Sequence, residues 1–136
     1  IRCPLCHAFA SVSLVVKIVE DRWQTSEFLA CDGCSLRQEA DGERLSDAAE
    51  EAVLSAYGTW AVFLEDRRPN GPKLLRMIAQ LLNLPLSEVR SRVVPGTVVP
   101  LAVGSKLAID ALAPALRGQG ADVAVGEVAG AGRSAV

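Results

Sequence analysis

The sequence predicts an α+β fold in which a small cysteine-framed sheet is followed by a connecting helix and a larger mixed part. Half of the 136 residues are apolar, which is enough material to bury a core. Two C-x2-C pairs near the start enclose a segment in which apolar and polar residues alternate. From residue 59 onward the pattern changes repeatedly between strand-like and helix-like periods. Together these observations predict two unequal parts joined by a helix.

The four cysteines are spaced as ligands of one structural metal ion. Cys3 and Cys6 form the first pair, Cys31 and Cys34 form the second, and 24 residues separate the pairs. Two residues between ligands allow a tight turn, here called a knuckle, to aim both thiolates at one ion, and two knuckles complete a tetrahedron. We therefore predict that all four cysteines bind Zn²⁺ as a structural cofactor. The alternatives are a pair of redox dithiols and four core thiols, and metal analysis separates both from a zinc site.

The segment between the knuckles predicts a small antiparallel sheet. VSLVVKIV alternates as a half-buried strand, and WQTSEFLA runs back toward the second knuckle. With CPLC and CDGC as its knuckles, the stretch 1–45 resembles a zinc ribbon. The predicted buried face of the first strand consists of Val12, Leu14, Val16 and Ile18.

Three residues beside the cysteines bear on the shape of the knuckles. Pro4 and Gly33 lie inside them, where a fixed φ and a permissive backbone favour a turn. His7 stands where zinc ribbons often carry glycine. We interpret His7 as a surface imidazole, since four thiolates already complete the metal shell; the alternative is a substitute ligand.

Residues 46–58 predict a connecting helix after a turn at ADGE. Ser46 is the expected N-cap, acidic residues follow it near the positive end of the helix dipole, and Gly58 ends the helix. The apolar stripe is expected to pack against the neighbouring part. Its members are Ala49, Val53, Ala56 and Tyr57.

Residues 59–126 predict the order β-α-α-β-α-β with a three-stranded sheet. TWAVFLED and ADVAV are predicted strands, KLLRMIAQLL is a predicted helix, and Ser105 is the expected N-cap of a helix over SKLAIDALAPALR. A short helix is also predicted within LPLSEVRSRVVP, where Leu86, Val89 and Val93 line up and Pro95 stands just past the helix end. TVVPLAV is predicted as an edge strand because it contains a proline. The Gly- and Ala-rich residues 127–136 are predicted to be a flexible tail.

The larger part resembles the C-terminal domain of the bacterial large-subunit ribosomal stalk protein. The resemblance lies in LPLSEVRSRVV and in GSKLAIDALAPALRGQGADVAV, and most of the shared residues occupy expected core and cap positions. The chain as a whole is thus similar to a zinc ribbon fused to a stalk-like domain. The matching positions are Leu84, Leu86, Glu88, Ser105, Ala111, Leu112, Ala115, Leu116, Gly120, Ala121 and Val123.

The resemblance implies a protein-interaction function linked to translation or the ribosome. The stalk domain recruits translation factors through basic and apolar residues on its first two helices. Arg76 and Arg90 stand where the family has lysines, whereas Ser87 replaces another lysine and Pro114 falls inside the third helix. The first strand is also similar to that of a protease-adaptor family, so a peptide-binding adaptor is an alternative.

Charge and motifs limit the remaining function classes. The first 58 residues carry five basic and ten acidic side chains, and the rest carry nine and six. We expect an acidic protein partner for the basic second part; its candidate binding residues are Arg67, Arg68, Lys73, Arg76 and Arg90. A nucleic acid is the less favoured alternative, because the cysteine-rich part is acidic and no basic cluster interleaves with aromatic residues.

No enzyme activity is expected from the motifs in the chain. The single histidine adjoins a predicted metal ligand, no serine has a candidate base, and no glycine-rich phosphate loop is present. No stretch has the length of a membrane span or the features of an export signal, so a cytoplasmic location is expected.

Overall fold

A computed structural model describes residues 1–65, 71–93 and 99–128 of the chain. These segments form a mixed α+β structure with four helices and two antiparallel three-stranded sheets, in agreement with the predicted fold class. None of the helices in this described part is both long and apolar enough to cross a membrane.

The first sheet is built from the residues around and between the two knuckles. Its strand order is β1-β2-β3, and both pairings are antiparallel. The predicted alternation along the first strand is confirmed, because every second side chain from Val12 to Ile18 is partly buried. The strands are β1 (Ser11–Val19), β2 (Arg22–Ala30) and β3 (Arg37–Gly42).

The third strand corrects the predicted turn at ADGE. β3 continues to Gly42 and pairs with β2 from Ala30↔Arg37 to Thr25↔Gly42. All of its side chains are exposed, so the strand has no apolar alternation by which the sequence would reveal it. Its backbone pairing with β2 is what makes it a strand.

The second sheet contains the three strands predicted for the larger part. Its order is β5-β4-β6, so β4 is central and the other two strands are edges. β5 begins later than predicted: Pro100 precedes it, Leu101 N–H donates to Val62 O at 2.8 Å, and residues 94–98 lie outside the described part. The strands are β4 (Thr59–Leu64), β5 (Ala102–Ser105) and β6 (Val123–Glu127).

The last strand includes the first residue of the predicted tail. β6 pairs with β4 as far as Trp60↔Glu127, and Val128 N–H donates to Thr59 O at 2.9 Å. Residues 129–136, which make up the rest of that predicted tail, lie outside the described residues.

The helices begin where the sequence places their caps. The hydroxyl of Ser46 accepts the N–H of Ala49 at 3.2 Å, and the hydroxyl of Ser105 accepts the N–H of Ala108 at 3.3 Å. Pro114 lies inside the last helix with an exposed side chain. The helices are α1 (Asp47–Tyr57), α2 (Pro72–Leu82), α3 (Leu86–Arg92) and α4 (Lys106–Gly118).

The apolar stripe predicted on α1 is buried over only part of its length. Ala49 and Val53 are buried, whereas Ala56 is exposed and Tyr57 is 54% exposed. The helix contacts α4 and β5. The C-terminal end of α1 therefore packs less closely than its apolar pattern indicates.

One hydrophobic core joins the two parts of the chain. Most of its buried members come from the second sheet and from helices α2 to α4, and Ile18 and Trp23 of the first sheet pack against it. The first sheet is thus attached to the larger part by apolar contacts. The buried members are Val62, Leu74, Met77, Ile78, Leu81, Val89, Leu101, Ala102, Ile109, Leu112, Ala113, Leu116, Ala121 and Val123.

A carboxylate on the first sheet also holds the start of α1. Glu27 lies on β2, and its two oxygens accept the backbone N–H and the hydroxyl of Ser46, each at 2.7 Å. Since Ser46 is the N-cap, a negative charge stands beside the positive end of the helix dipole. The contact fixes the direction in which the chain leaves the sheet.

Candidate metal centre

The structure brings together the four cysteines that are predicted to bind a metal ion. Their sulfur atoms all lie within 4.8 Å of one another. The Sγ atoms of Cys3 and Cys34 are 3.6 Å apart, and those of Cys6 and Cys31 are 3.5 Å apart. The first cysteine of each pair is buried, whereas Cys6 is exposed and Cys34 is half-buried. This arrangement can hold one metal ion.

The two knuckles have closely similar backbone geometry. Cys3 N–H donates to Ala8 O at 2.7 Å, and Cys31 N–H donates to Leu36 O at 2.9 Å, so each bond spans the same number of residues. Four residues after the first cysteine of each pair, φ is 64°. Each knuckle thus contains one residue in the left-handed region. These residues are His7 and Ser35.

The left-handed backbone explains why glycine would suit position 7. A residue with a Cβ atom adopts this conformation at a cost of about 1–2 kcal/mol, whereas glycine adopts it freely. The side chain of His7 is exposed and is not among the residues grouped as metal ligands in the described part of the chain. Its position agrees with the interpretation as a surface imidazole.

The prediction that Gly33 favours the turn through its permissive backbone was wrong. Gly33 is not among the residues with positive φ, so the second knuckle does not use its conformational freedom. A Cβ at this position would lie 3.4 Å from Ala8 Cβ and 3.6 Å from the sulfurs of Cys31 and Cys6, which is ordinary contact. The permissive residue is needed at Ser35 instead.

We expect the substitution His7→Gly to leave the metal content unchanged and to stabilise the loaded protein by up to about 1 kcal/mol. The gain from relieving the left-handed strain is partly offset by the larger conformational entropy of glycine in the unfolded chain. Denaturant titration of the metal-loaded protein measures the change. The matched substitution Ser35→Gly should behave alike, while Ala8→Gly, outside the left-handed region, should destabilise. Loss of metal in His7→Gly would identify the imidazole as a ligand.

The cysteine thiols influence one another electrostatically. The backbone N–H of Cys6 is the main cause that lowers the pKa of Cys3 to about 6, against the opposing effect of burial. The backbone N–H of Leu36 lowers the pKa of Cys34, but burial and the neighbouring cysteines outweigh it and raise that pKa to about 12. Like charges at these separations repel, so a bound cation is the group that would allow all four sulfurs to ionise.

Two arginines hold the knuckles from outside, and the sequence analysis missed both. Arg2 donates to His7 O at 3.2 Å and lies 3.8 Å from the centre of the Phe9 ring. Arg37 donates to Leu36 O at 3.2 Å and more distantly to Cys31 O at 3.4 Å. Each knuckle therefore has one cation bonded to its backbone. The only signal in the sequence is that each arginine lies within three residues of a cysteine.

Three of the five predicted partner-binding residues lie in the described part of the chain. Lys73 and Arg76 are exposed on α2, and Arg90 is exposed on α3. Within the described segments, no ion pair or hydrogen bond involves these three side chains. The other two candidates, Arg67 and Arg68, lie outside the described residues.

Arg92, the last residue of α3, already has partners. Its Nε lies 3.3 Å from a carboxylate oxygen of Glu88, and its NH1 donates to Leu101 O at 2.9 Å. It is therefore less accessible to a ligand than Arg90.

Comparison of the chain with protein-family models, with curated proteins and with solved structures finds no match.

Proposed function

We propose that the chain is a non-enzymatic protein-interaction module whose first sheet is held together by a structural zinc ion. Sulfurs about 2.3 Å from a tetrahedral Zn²⁺ lie about 3.8 Å from one another. The separations of 3.5 Å and 3.6 Å, with all four sulfurs within 4.8 Å, support this assignment. Four thiolates fill the coordination shell, which is typical of a structural rather than a catalytic zinc site.

The zinc would fix both ends of the β1–β2 hairpin in the first sheet. Cys6 lies shortly before β1, and Cys31 follows the last residue of β2. The bridge between Arg2 and Phe9 and the bond from Ala10 N–H to Ile1 O fold the first knuckle onto itself. Thr25 is the one buried residue in β1, β2 and β3, so the sheet has little core of its own, and the ion supplies the missing cross-link.

The interaction function is supported by unpaired positive charge on α2 and α3. The ion pairs within the described residues are all local, because they join residues three or four positions apart. None of them links the acidic first part to the basic second part. Lys73, Arg76 and Arg90 are thus free to meet an acidic surface, and charge complementarity of this kind increases the association rate and the specificity of a complex.

The resemblance to the stalk domain suggests where such a partner would act. Arg76 and Arg90 occupy positions on the first two helices of the larger part, which is where that family binds translation factors. A partner in translation is therefore part of the proposal. The absence of an enzyme activity belongs to it as well, on the basis of the motifs and of the closed thiolate shell.

Charge reversal on α2 and α3 tests the interaction. We expect the double variant Arg76→Glu and Arg90→Glu to lose more than about tenfold in affinity for the partner, because a reversed charge both removes an attraction and adds a repulsion. The partner is captured from an extract of the source cells on immobilised zinc-loaded protein, and its affinity is then measured by titration. The matched control is Lys17→Glu with Arg22→Glu, which makes the same charge change at two exposed residues of the first sheet.

The control separates a specific surface from a general effect of charge. Equal losses in the two double variants would contradict the proposed α2 and α3 surface. Captured RNA or DNA, with binding that weakens steeply as salt increases, would favour the nucleic-acid alternative over a protein partner.

A further inference from the structure

The C-terminal end of α2 is completed by residues from the first sheet. Asn83 adopts φ 52° and ψ 48°, Leu84 N–H donates to Ala79 O at 3.0 Å, and Asn83 N–H approaches Gln80 O at 3.4 Å. This is the pattern of a Schellman cap, which satisfies two of the carbonyls left without partners at a helix end. The carbonyl of Leu81 is not one of these two, and the cap offers it no hydrogen-bond donor.

The indole of Trp23 supplies that donor. Its Nε1 donates to Leu81 O at 2.7 Å, although the two residues are 58 positions apart. Beside it, the Nε2 of Gln80 donates to Asp21 O at 3.3 Å. We call these two bonds the hairpin contact, because Asp21 and Trp23 lie at the turn that joins β1 to β2.

The hairpin contact lies at one end of β1 and β2, and the candidate metal centre lies at the other. β1 and β2 are paired along their whole length, from Val19↔Arg22 beside the turn to Ser11↔Ala30 beside Cys31. Ile18, which pairs with Trp23, also packs against the core of the second part. The paired strands therefore connect the cysteines directly to the hairpin contact.

The helix end that Trp23 caps belongs to the helix that carries two of the proposed partner-binding residues. Lys73, Arg76 and Gln80 are exposed and are spaced three and four residues apart, so they share one face of α2. An isolated helix of 11 residues is marginally stable in water. The order of this face therefore depends on the buried side of α2, which packs in the core, and on the contacts at its C-terminal end.

We propose that metal occupancy regulates the C-terminal half of α2 through the hairpin contact. The inference rests on the proposed zinc centre and goes beyond it, since a structural zinc could equally stabilise the first sheet alone. When the metal is removed, the first sheet is no longer closed at the knuckles, and the hairpin of β1 and β2 loses the cross-link at its far end. Trp23 then leaves Leu81 O, and the end of α2 opens more often. The basic face is consequently best ordered in the metal-loaded protein.

Hydrogen exchange of the full-length protein tests the proposal. We compare zinc-loaded protein with protein treated with a strong chelator, and follow the amides of Leu81, Leu82 and Leu84 at the end of α2. Removing the metal should make them exchange about tenfold faster, which corresponds to the loss of a hydrogen bond and its packing. Amides of Ala61 and Val62 in β4, the central strand of the second sheet, should change much less, because both residues are fully buried.

Two tryptophan variants distinguish loss of the hairpin contact from a general effect of replacing a tryptophan. In zinc-loaded Trp23→Phe, exchange at the end of α2 should already be about tenfold faster with the zinc content unchanged, and chelation should have little further effect there. Trp60→Phe is the matched control, because its indole donates to Tyr57 O at 2.8 Å, at the junction of α1 and β4. In Trp60→Phe, hydrogen exchange at the end of α2 should depend on the metal as strongly as in the wild-type protein. Gln80→Ala, which removes the second bond at an exposed residue, should show a smaller change in the same direction.

The outcomes distinguish this proposal from the assignment of zinc. Stoichiometric zinc with exchange at the end of α2 that does not depend on the metal would overturn the regulation and leave the zinc centre intact. Equal acceleration in α2 and β4 would also overturn it, because that pattern indicates global unfolding rather than a route through Trp23. Protein that contains no zinc and keeps its first sheet under chelation would contradict the proposed function itself.

Discussion

Replacing Cys31 with serine is expected to abolish stoichiometric zinc binding and to unfold the first sheet. Cys31 is fully buried, and its sulfur lies 3.5 Å from that of Cys6. A serine hydroxyl at this position is a poor zinc ligand and leaves a buried polar group beside three thiols. Because zinc binding supplies about 10–16 kcal/mol to the folding of zinc-finger peptides, its loss exceeds what the contacts of three short strands can replace.

Three measurements check this prediction. Metal analysis gives the zinc content, circular dichroism gives the loss of strand structure, and hydrogen exchange shows which strands lose protection. Treatment of the wild-type protein with a strong chelator should reproduce the result. The matched control is Gly33→Ala, in the same knuckle, whose added Cβ would stand in ordinary contact with its neighbours. It should retain zinc and structure.

One outcome would disprove the structural role of the metal. A Cys31→Ser protein that keeps the exchange protection of β1 and β2 would show that Trp23, Ile18 and the other contacts with the second part are sufficient to hold the first sheet. The thiols would then serve another purpose. Metal-free protein with titratable dithiols would favour the redox alternative.

The sequence predicted best those features that depend on local chemistry. The cysteine spacing indicated the cluster, because a knuckle is fixed by the few residues inside it. Ser46 and Ser105 indicated two helix starts, since an N-cap bonds to an amide three residues away. The alternation in β1 indicated its buried face. Each of these signals lies within a single turn or strand.

The features that the sequence did not reveal depend on pairing between distant segments or on unusual residues. β3 has exposed side chains throughout and is a strand only because it pairs with β2. The turn between β1 and β2 uses Glu20 and Asp21 with φ values of 52° and 61°. Such a turn usually contains Asn or Gly, so neither the turn nor the register that places Trp23 opposite Ile18 carried the usual signal.

The contacts between the two parts lie furthest beyond sequence reasoning. Trp23 and Glu27 each bond to a residue at a helix end in another part of the chain, 58 and 19 positions away. A tryptophan in a strand and a glutamate between Ser26 and Phe28 are both compatible with solvent exposure, so neither indicates a partner. Their role becomes visible only when the first sheet is packed against the helices.

The substitution Leu116→Ala should have the largest effect among changes outside the metal centre. Leu116 is completely buried in α4, where it belongs to the core formed by the second sheet and the helices. Truncating a buried leucine removes its transfer free energy and leaves a cavity, which together destabilise a protein by about 2–5 kcal/mol. Urea denaturation of the zinc-loaded protein should show a lower midpoint with an unchanged slope.

The matched control is Leu5→Ala, which removes the same atoms from a side chain that is 68% exposed. It should change the free energy of unfolding by no more than about 0.5 kcal/mol. Zinc content should stay stoichiometric in both variants, because the four cysteines lie outside this core and their geometry is set by the knuckles. Equal destabilisation by the two substitutions would contradict the central place of α4 in the fold. Loss of zinc from Leu116→Ala alone would show instead that the knuckles depend on the second part, so that the coupling between metal and helices runs in both directions.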